Sequence, residues 1–148
     1  MPARKGETRS EVATSARVDW RRLLAGASPR EVRARIVQGD PLGLRAVVAE
    51  RLRERALLCD ADAVQLRATA RCARYAVRYR GRPALGEWLA EQVDGALDDL
   101  VEDGCVEEGG AFTDLATPLG LAPEVLRAAC TKFNRLPHAD REAFFLSL

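Results

Sequence analysis

The sequence predicts an all-α protein: a compact helical bundle, followed by a linker and two short helices. Three observations carry this. Aromatic residues make up only 5% of the chain while Ala, Leu, Val and Arg dominate, a mix that favours helix over strand. Apolar residues recur at spacings of three and four through successive segments, with no convincing period-two run and no internal repeat. Helix-start signals also recur at Ser28-Pro29, Asp40-Pro41, Asp60, Pro83 and Pro123.

Residues 1–27 read as a flexible arm. The first 16 are polar, charged and aperiodic, and Trp20, Leu23 and Leu24 then offer a short turn that packs on the body. Ser28 caps the first longer helix, Pro29 suits its first position, and Glu31 closes a capping box. This helix ends near Gly39. Asp40-Pro41 opens the next by the same logic, with Leu44, Val47, Val48 and Leu52 as its apolar stripe and Arg45, Arg51, Arg53 and Arg55 largely off it. Asp60 caps a helix running to about Tyr79, on which Val64, Ala68, Cys72, Tyr75 and Tyr79 share one face. Arg67, Arg71, Arg74 and Arg78 follow the same spacing on a neighbouring face, a basic stripe. Pro83 opens a fourth helix to about Val101, with Leu85, Trp88, Leu89, Val93, Ala96, Leu97 and Leu100 inward and Glu87, Glu91, Asp94 and Asp98 opposite. Residues 28–103 therefore form one helical domain.

Residues 104–121 read as a linker, marked by Gly104, Gly109-Gly110, Pro118 and Gly120. Pro123 opens a fifth helix with Val125, Leu126, Ala129 and Phe133 facing inward. Leu136-Pro137 breaks it, and a last helix carries Phe144, Phe145 and Leu146.

Charge divides the chain. Residues 1–82 hold 19 Lys+Arg against 9 Asp+Glu, a net of +10, and residues 83–148 hold 4 against 13, a net of −9. The basic half suggests polyanions, and the acidic half a basic partner or the basic half itself. At 47% hydrophobic, the 148 residues suffice for a real core. Cys59, Cys72, Cys105 and Cys130 stand far apart with no CxxC pair and only His138 to help, which argues against zinc. They read as buried small hydrophobes in a reducing cytoplasm. No apolar run approaches the roughly 20 residues of a membrane span.

Enzyme chemistry finds no support. His138 is alone in the first turn of a helix, Asp98-Asp99 are adjacent and diverge by about 100° on a helix, and no Gly-rich loop is placed to cradle a phosphate. No cofactor is expected.

The most informative stretch is Arg78-Tyr79-Arg80-Gly81-Arg82-Pro83-Ala84-Leu85-Gly86-Glu87-Trp88-Leu89, which joins two amphipathic helices through a basic turn where the charge changes sign. Upstream stands Asp62-Ala63-Val64-Gln65. Asp99 lies eleven residues after Trp88, and Leu136-Pro137 is followed by Arg141-Glu142-Ala143-Phe144. In order and spacing these segments resemble the second conserved region, and the opening of the fourth, of bacterial RNA polymerase sigma factors of the extracytoplasmic-function type. Asp62 to Gln65 is similar to that family's clamp-binding signature, and Tyr79-Arg80-Gly81 with Leu85 and Trp88-Leu89 to its promoter-contacting run. The resemblance covers about residues 40–148, with the region 4-like segment at 122–148. It implies a compact helical domain, docking on RNA polymerase core through Asp62 and Gln65, and contact with promoter DNA through Arg78, Tyr79, Arg80, Arg82 and Trp88.

The departures matter too. Asp94-Gly95 stands where the family commonly has Arg-Asn, and Glu87 and Glu91 replace polar or basic neighbours. Acidic side chains repel phosphate, so the resemblance supports polymerase docking better than promoter melting, and DNA binding is expected to be weak.

Each candidate also has a plain structural reading. Asp62 and Gln65 are equally ordinary polar residues in the first turns of a helix. The arginine stripe either follows a nucleic-acid backbone, pairs with the acidic helix, or is solvated. Tyr79 either stacks a base or packs in the core, and Trp88 lies on the apolar stripe. Two functions follow: a sigma-factor-like protein in transcription initiation, or a helical protein-interaction module, such as a degenerate sigma paralogue bound by an anti-sigma or other regulatory protein without DNA binding. No membrane partner is expected.

Overall fold

A computed structural model describes residues 19–25, 28–104 and 111–148. The described residues are all-helical and contain no strand. The helices are α1 (Trp20–Leu24), α2 (Pro29–Val37), α3 (Leu44–Arg55), α4 (Ala61–Tyr75), α5 (Leu85–Asp103), α6 (Ala111–Leu119), α7 (Pro123–Asn134) and α8 (His138–Leu146), with a single 3-10 turn at Ala76–Arg78 after α4.

Local chemistry sets most boundaries. The Ser28 hydroxyl accepts from the Glu31 amide at 3.3 Å, and the Asp60 carboxylate accepts from the Asp62 amide at 3.2 Å. These are the caps expected, and each satisfies an amide that a helix leaves unpaired at its start. Asp40 caps differently. It takes φ +46° in a turn with Gly39 and Gly43, and its carboxylate reaches forward to the Leu44 amide at 2.8 Å and the Arg45 amide at 3.1 Å. The helix therefore starts at Leu44 and not at Asp40-Pro41. The fourth long helix likewise starts at Leu85, not Pro83, because Pro83 stays in the preceding turn and its carbonyl accepts the Tyr79 hydroxyl at 2.8 Å. The helix before that turn ends at Tyr75, short of Tyr79, where the backbone tightens into the 3-10 turn.

Helices α4 and α5 pack side by side, α3 lies against both, and α2 packs on α4 with α1 beside it. Their shared core holds Ile36, Leu44, Val48, Val64, Cys72, Leu89, Val93, Leu97 and Leu100, all essentially solvent-free. Leu52, Tyr75 and Leu85, expected in the core, are only partly buried at its edge. Cys72 is buried as expected, whereas Cys59 and Cys130 are half-buried.

The C-terminal part departs most from expectation. The expected linker at 104–121 contains α6, and residues 105–110 lie outside the described residues. Pro118 lies inside α6 one residue before its end, where it forgoes a single helical hydrogen bond, and Gly120 follows at φ +66°. The inward face expected for the fifth helix is only partly realised. Leu126 and Phe133 are half-buried, but Val125 is 55% exposed and Ala129 is exposed. Phe133 instead joins Phe144 and Phe145 in a small aromatic cluster, with ring centroids 5.2 and 5.9 Å away.

This region is held to the body by polar contacts. The Asn134 side chain accepts from the Leu58 amide at 2.7 Å and donates to the Leu58 carbonyl at 2.9 Å. Arg141 is buried and donates to the Ala56 carbonyl at 3.1 Å, the Arg55 carbonyl at 2.9 Å and the Leu136 carbonyl. His138 Nε2 stands 3.0 Å from the Glu54 carbonyl oxygen. The last carbonyls of α3 thus receive a cation where a helix C-terminus favours one. The expected N-terminal arm at 1–27 overlaps α1, whose buried Leu24 joins the core, while residues 1–18 and 26–27 lie outside the described residues.

Replacing Asn134 by Ala leaves both backbone groups of Leu58 without their partner. The cost should be about 1–3 kcal/mol, read as a lowered denaturant midpoint together with faster protease cleavage within residues 123–148.

Candidate functional site

The residues singled out by sequence fall at the two ends of α4, roughly 20 Å apart at about 1.5 Å per residue. At its N-terminus Asp62 is exposed and Gln65 half-exposed, with Leu66 beside them at 38% exposure. At its C-terminus the chain runs through the basic turn, where Arg78, Arg80 and Arg82 are all exposed.

The turn is built around aromatic packing. The Tyr79 and Trp88 rings stack at 4.6 Å and 26°, and Trp20 meets the Tyr79 ring edge-on at 4.6 Å. Tyr79 and Trp88 are 5% and 6% exposed. Neither ring offers a free face to a base, so neither base stacking by Tyr79 nor the DNA contact that the resemblance implies for Trp88 fits their positions. Their packing is what presents the arginines. Gly81 sits at φ +87°, and a Cβ there would meet the Trp20 ring at 3.1 Å, so both backbone and space favour glycine. The Arg80 guanidinium donates back to the Val77 carbonyl at 2.7 Å.

The basic stripe and the acidic helix largely meet each other. Arg67 pairs with Asp103 at 3.0 Å and Arg71 with Asp99 at 3.3 Å, both between α4 and α5. From the other side, α3 contributes Arg51, which grips Asp94 with two 2.9 Å bonds and also meets Glu54. Arg55 binds Asp98 at 2.6 Å and the Asp94 carbonyl at 3.3 Å. The Asp94 carboxylate raises the Arg51 guanidinium above its ordinary value by hydrogen bonding. Four α5 acids therefore face arginines of the same chain, while Glu87 and Glu91, in the first turns beside the basic turn, remain exposed.

Asp94 and Gly95 both have structural roles. Asp94 anchors two arginines. Gly95 lies directly beneath the Arg71 guanidinium, which a Cβ there would overlap. Arg71 and Arg74 each also stand 5.4 Å from the centre of the Tyr75 ring, and Arg71 Nε is buried without a hydrogen-bond partner among the described residues. Sequence reading missed this seat, along with Asn134 and Arg141. Only an isolated glycine inside a helical pattern hinted at it.

Among the described residues, no group of three or more His, Cys, Asp and Glu side chains is placed to hold a metal, and no helix is long and apolar enough to cross a membrane. No protein-family model matches the chain, and neither a curated protein nor a solved structure matches it.

The Gly95 seat generates a coupling prediction. Glycine inside a helix costs about 0.8–1.0 kcal/mol relative to alanine. Gly95→Ala should therefore stabilise an Arg71→Ala variant by about that amount, whereas with Arg71 present the gain should vanish as the guanidinium is displaced. A double-mutant cycle of denaturant melts reads the difference; additive effects would show that the seat is energetically idle.

Proposed function

We propose that this chain is a sigma-factor-like protein of transcription initiation that docks on RNA polymerase core through the N-terminal half of α4 and contacts promoter DNA only weakly. The observation that carries the reading is the surface at Asp62, Gln65 and Leu66. Asp62 and Gln65 belong to the segment that resembles the clamp-binding signature, and with Leu66 they offer an exposed polar-apolar patch on a helix anchored from behind by Val64 and Ala68. Such a patch suits a protein partner better than a phosphate backbone. The reading puts the protein in the cytoplasm, with the polymerase.

Weak DNA contact follows from charge and access. The exposed cations of the turn, Arg78, Arg80 and Arg82, can attract phosphate, but Glu87 and Glu91 stand immediately behind them, and the nearby rings are packed away. That same Tyr79–Trp88 stack favours a second reading, a helical interaction module that binds a regulatory protein and no DNA. Transcription from promoter DNA by core polymerase with and without the protein separates the two: the first reading expects added initiation, the second none.

Docking is tested by capture of core polymerase. The double variant Asp62→Ala/Gln65→Ala should lose most capture, while its stability changes by no more than about 0.5 kcal/mol. Undiminished capture would overturn the assigned surface.

DNA contact is tested by fluorescence anisotropy on single-stranded and duplex −10-like oligonucleotides across a salt series. The wild type should bind near the weak end of the usual non-specific range, about 10⁻⁴–10⁻⁶ M. Arg80→Ala/Arg82→Ala should weaken binding further and flatten its salt dependence, and Glu87→Gln/Glu91→Gln should strengthen it. Tight, sequence-selective binding by the wild type would contradict the charge argument.

A further inference from the structure

Where α7 meets the loop between α3 and α4, two half-buried thiols lie on either side of one asparagine. The Asn134 amide nitrogen approaches Cys59 Sγ at 3.6 Å. Cys130 precedes Asn134 by one helical turn on α7, and side chains four apart share a helix face with Cβ atoms about 5–6 Å apart. The face of α7 that brings Asn134 to Cys59 therefore also carries Cys130. Cys72 is sealed in the core.

We propose that Cys59 and Cys130 form a disulfide that fastens α7 to the loop between α3 and α4, a latch closed by exchange with a low-molecular-weight disulfide. A disulfide needs Cβ atoms about 3.5–4.5 Å apart, so closure requires α7 to settle against the loop; the Val125 side of that helix is exposed and its hold on the body rests largely on polar contacts. Beside Cys59 an open cavity of about 390 Å³, bordered by Arg53, Leu57 and Phe145, gives a small disulfide access, and Arg53 suits a reagent bearing carboxylates.

The exchange balances as follows. The Cys59 thiol loses its proton to water, and its sulfur attacks one sulfur of the small disulfide in the cavity. A mixed disulfide forms and one small thiolate leaves. Cys130 then loses its proton and attacks Cys59 Sγ, forming the internal S–S bond and releasing the second small thiolate. Two protein thiols are oxidised and one small disulfide is reduced to two thiols. Burial raises both protein thiols, Cys59 to about 11, so little thiolate is present at neutral pH and closure is slow. The same protonated preference makes Cys59 and Cys130 poor leaving groups, so the bond, once formed, opens slowly.

The test uses the full chain incubated with oxidised glutathione, then blocked with maleimide, digested and mapped by mass spectrometry. The expected result is a linked peptide pair containing residues 59 and 130, loss of two maleimide labels, and retention of the label on Cys72 after denaturation. The oxidised wild type should resist cleavage within residues 123–148 roughly tenfold longer than the reduced form, because protease cuts the opened state. Cys130→Ser and Cys59→Ser, each checked for a wild-type melting profile, should show neither the link nor the added resistance. Linkage through Cys105, linkage between chains, no linkage at all, or a 59–130 link without added resistance would overturn the latch. Neither polymerase nor DNA enters the assay, so its outcome is independent of the proposed function.

Discussion

The register of α5 against its two neighbours is the constraint on which the rest of this structure depends. One stripe of that helix, from Trp88 through Leu89, Val93, Ala96 and Leu97 to Leu100, is buried against α3 and α4. The flanks of the same helix place Asp94 and Asp98 on Arg51 and Arg55, and Asp99 and Asp103 on Arg71 and Arg67. The two contributions differ in size. Burying a large apolar side chain is worth about 1.5–3 kcal/mol, whereas a partly exposed ion pair contributes about 0.2–1 kcal/mol. Apolar burial therefore drives the association, and the ion pairs select among alignments: sliding α5 by one turn would keep much of the stripe covered but would misplace every carboxylate.

This alignment changes the meaning of the charge pattern. The sequence carries a basic half and an acidic half, and read linearly each invites an outside partner. In the fold much of each half is turned toward the other. The four arginines of the α4 stripe divide accordingly: Arg67 and Arg71 face α5, Arg74 stands over Tyr75, and only Arg78 continues into the exposed basic turn. The surface left for partners is smaller and more local than the composition implies: the patch at Asp62, Gln65 and Leu66, and the turn at Arg78 to Arg82. Asp94-Gly95 is part of the same device, since the aspartate anchors α3 and the glycine admits Arg71.

What the sequence made legible follows from the range of the interactions involved. Caps at Ser28 and Asp60, the apolar stripe of α5 and the core position of Trp88 rest on residues within a turn or two of one another, and periodicity reveals them. The start of α3 differs from the expected one because Asp40 reaches across four residues from a left-handed turn, a geometry that an Asp-Pro pair does not signal. The helix at Ala111–Leu119 is hard to read from sequence because Pro118 and Gly120, which mark its end, are equally the signals of a linker. The docking of Asn134 and Arg141 joins positions more than 70 residues apart through backbone groups of Arg55 to Leu58, and backbone acceptors leave no trace in side-chain pattern. Of the candidate site, the exposed arginines and the Asp62–Gln65 patch were readable. The packing of Tyr79 is not legible in the same way, because an aromatic at a helix end suits stacking on a base and packing on a neighbour equally well.

The central claim is that α5 is held in register by arginines of its own chain, and exchange of charges across one pair tests it most directly. Asp94→Arg and Arg51→Asp should each lower the denaturant midpoint, the first more, since it sets three guanidinium groups together. The double variant Arg51→Asp/Asp94→Arg should recover much of the loss, because the pair is restored with its ends exchanged. Stability that falls by the plain sum of the two single effects, or an Asp94→Arg variant that melts like the wild type, would show that these contacts only decorate a bundle whose alignment is set elsewhere.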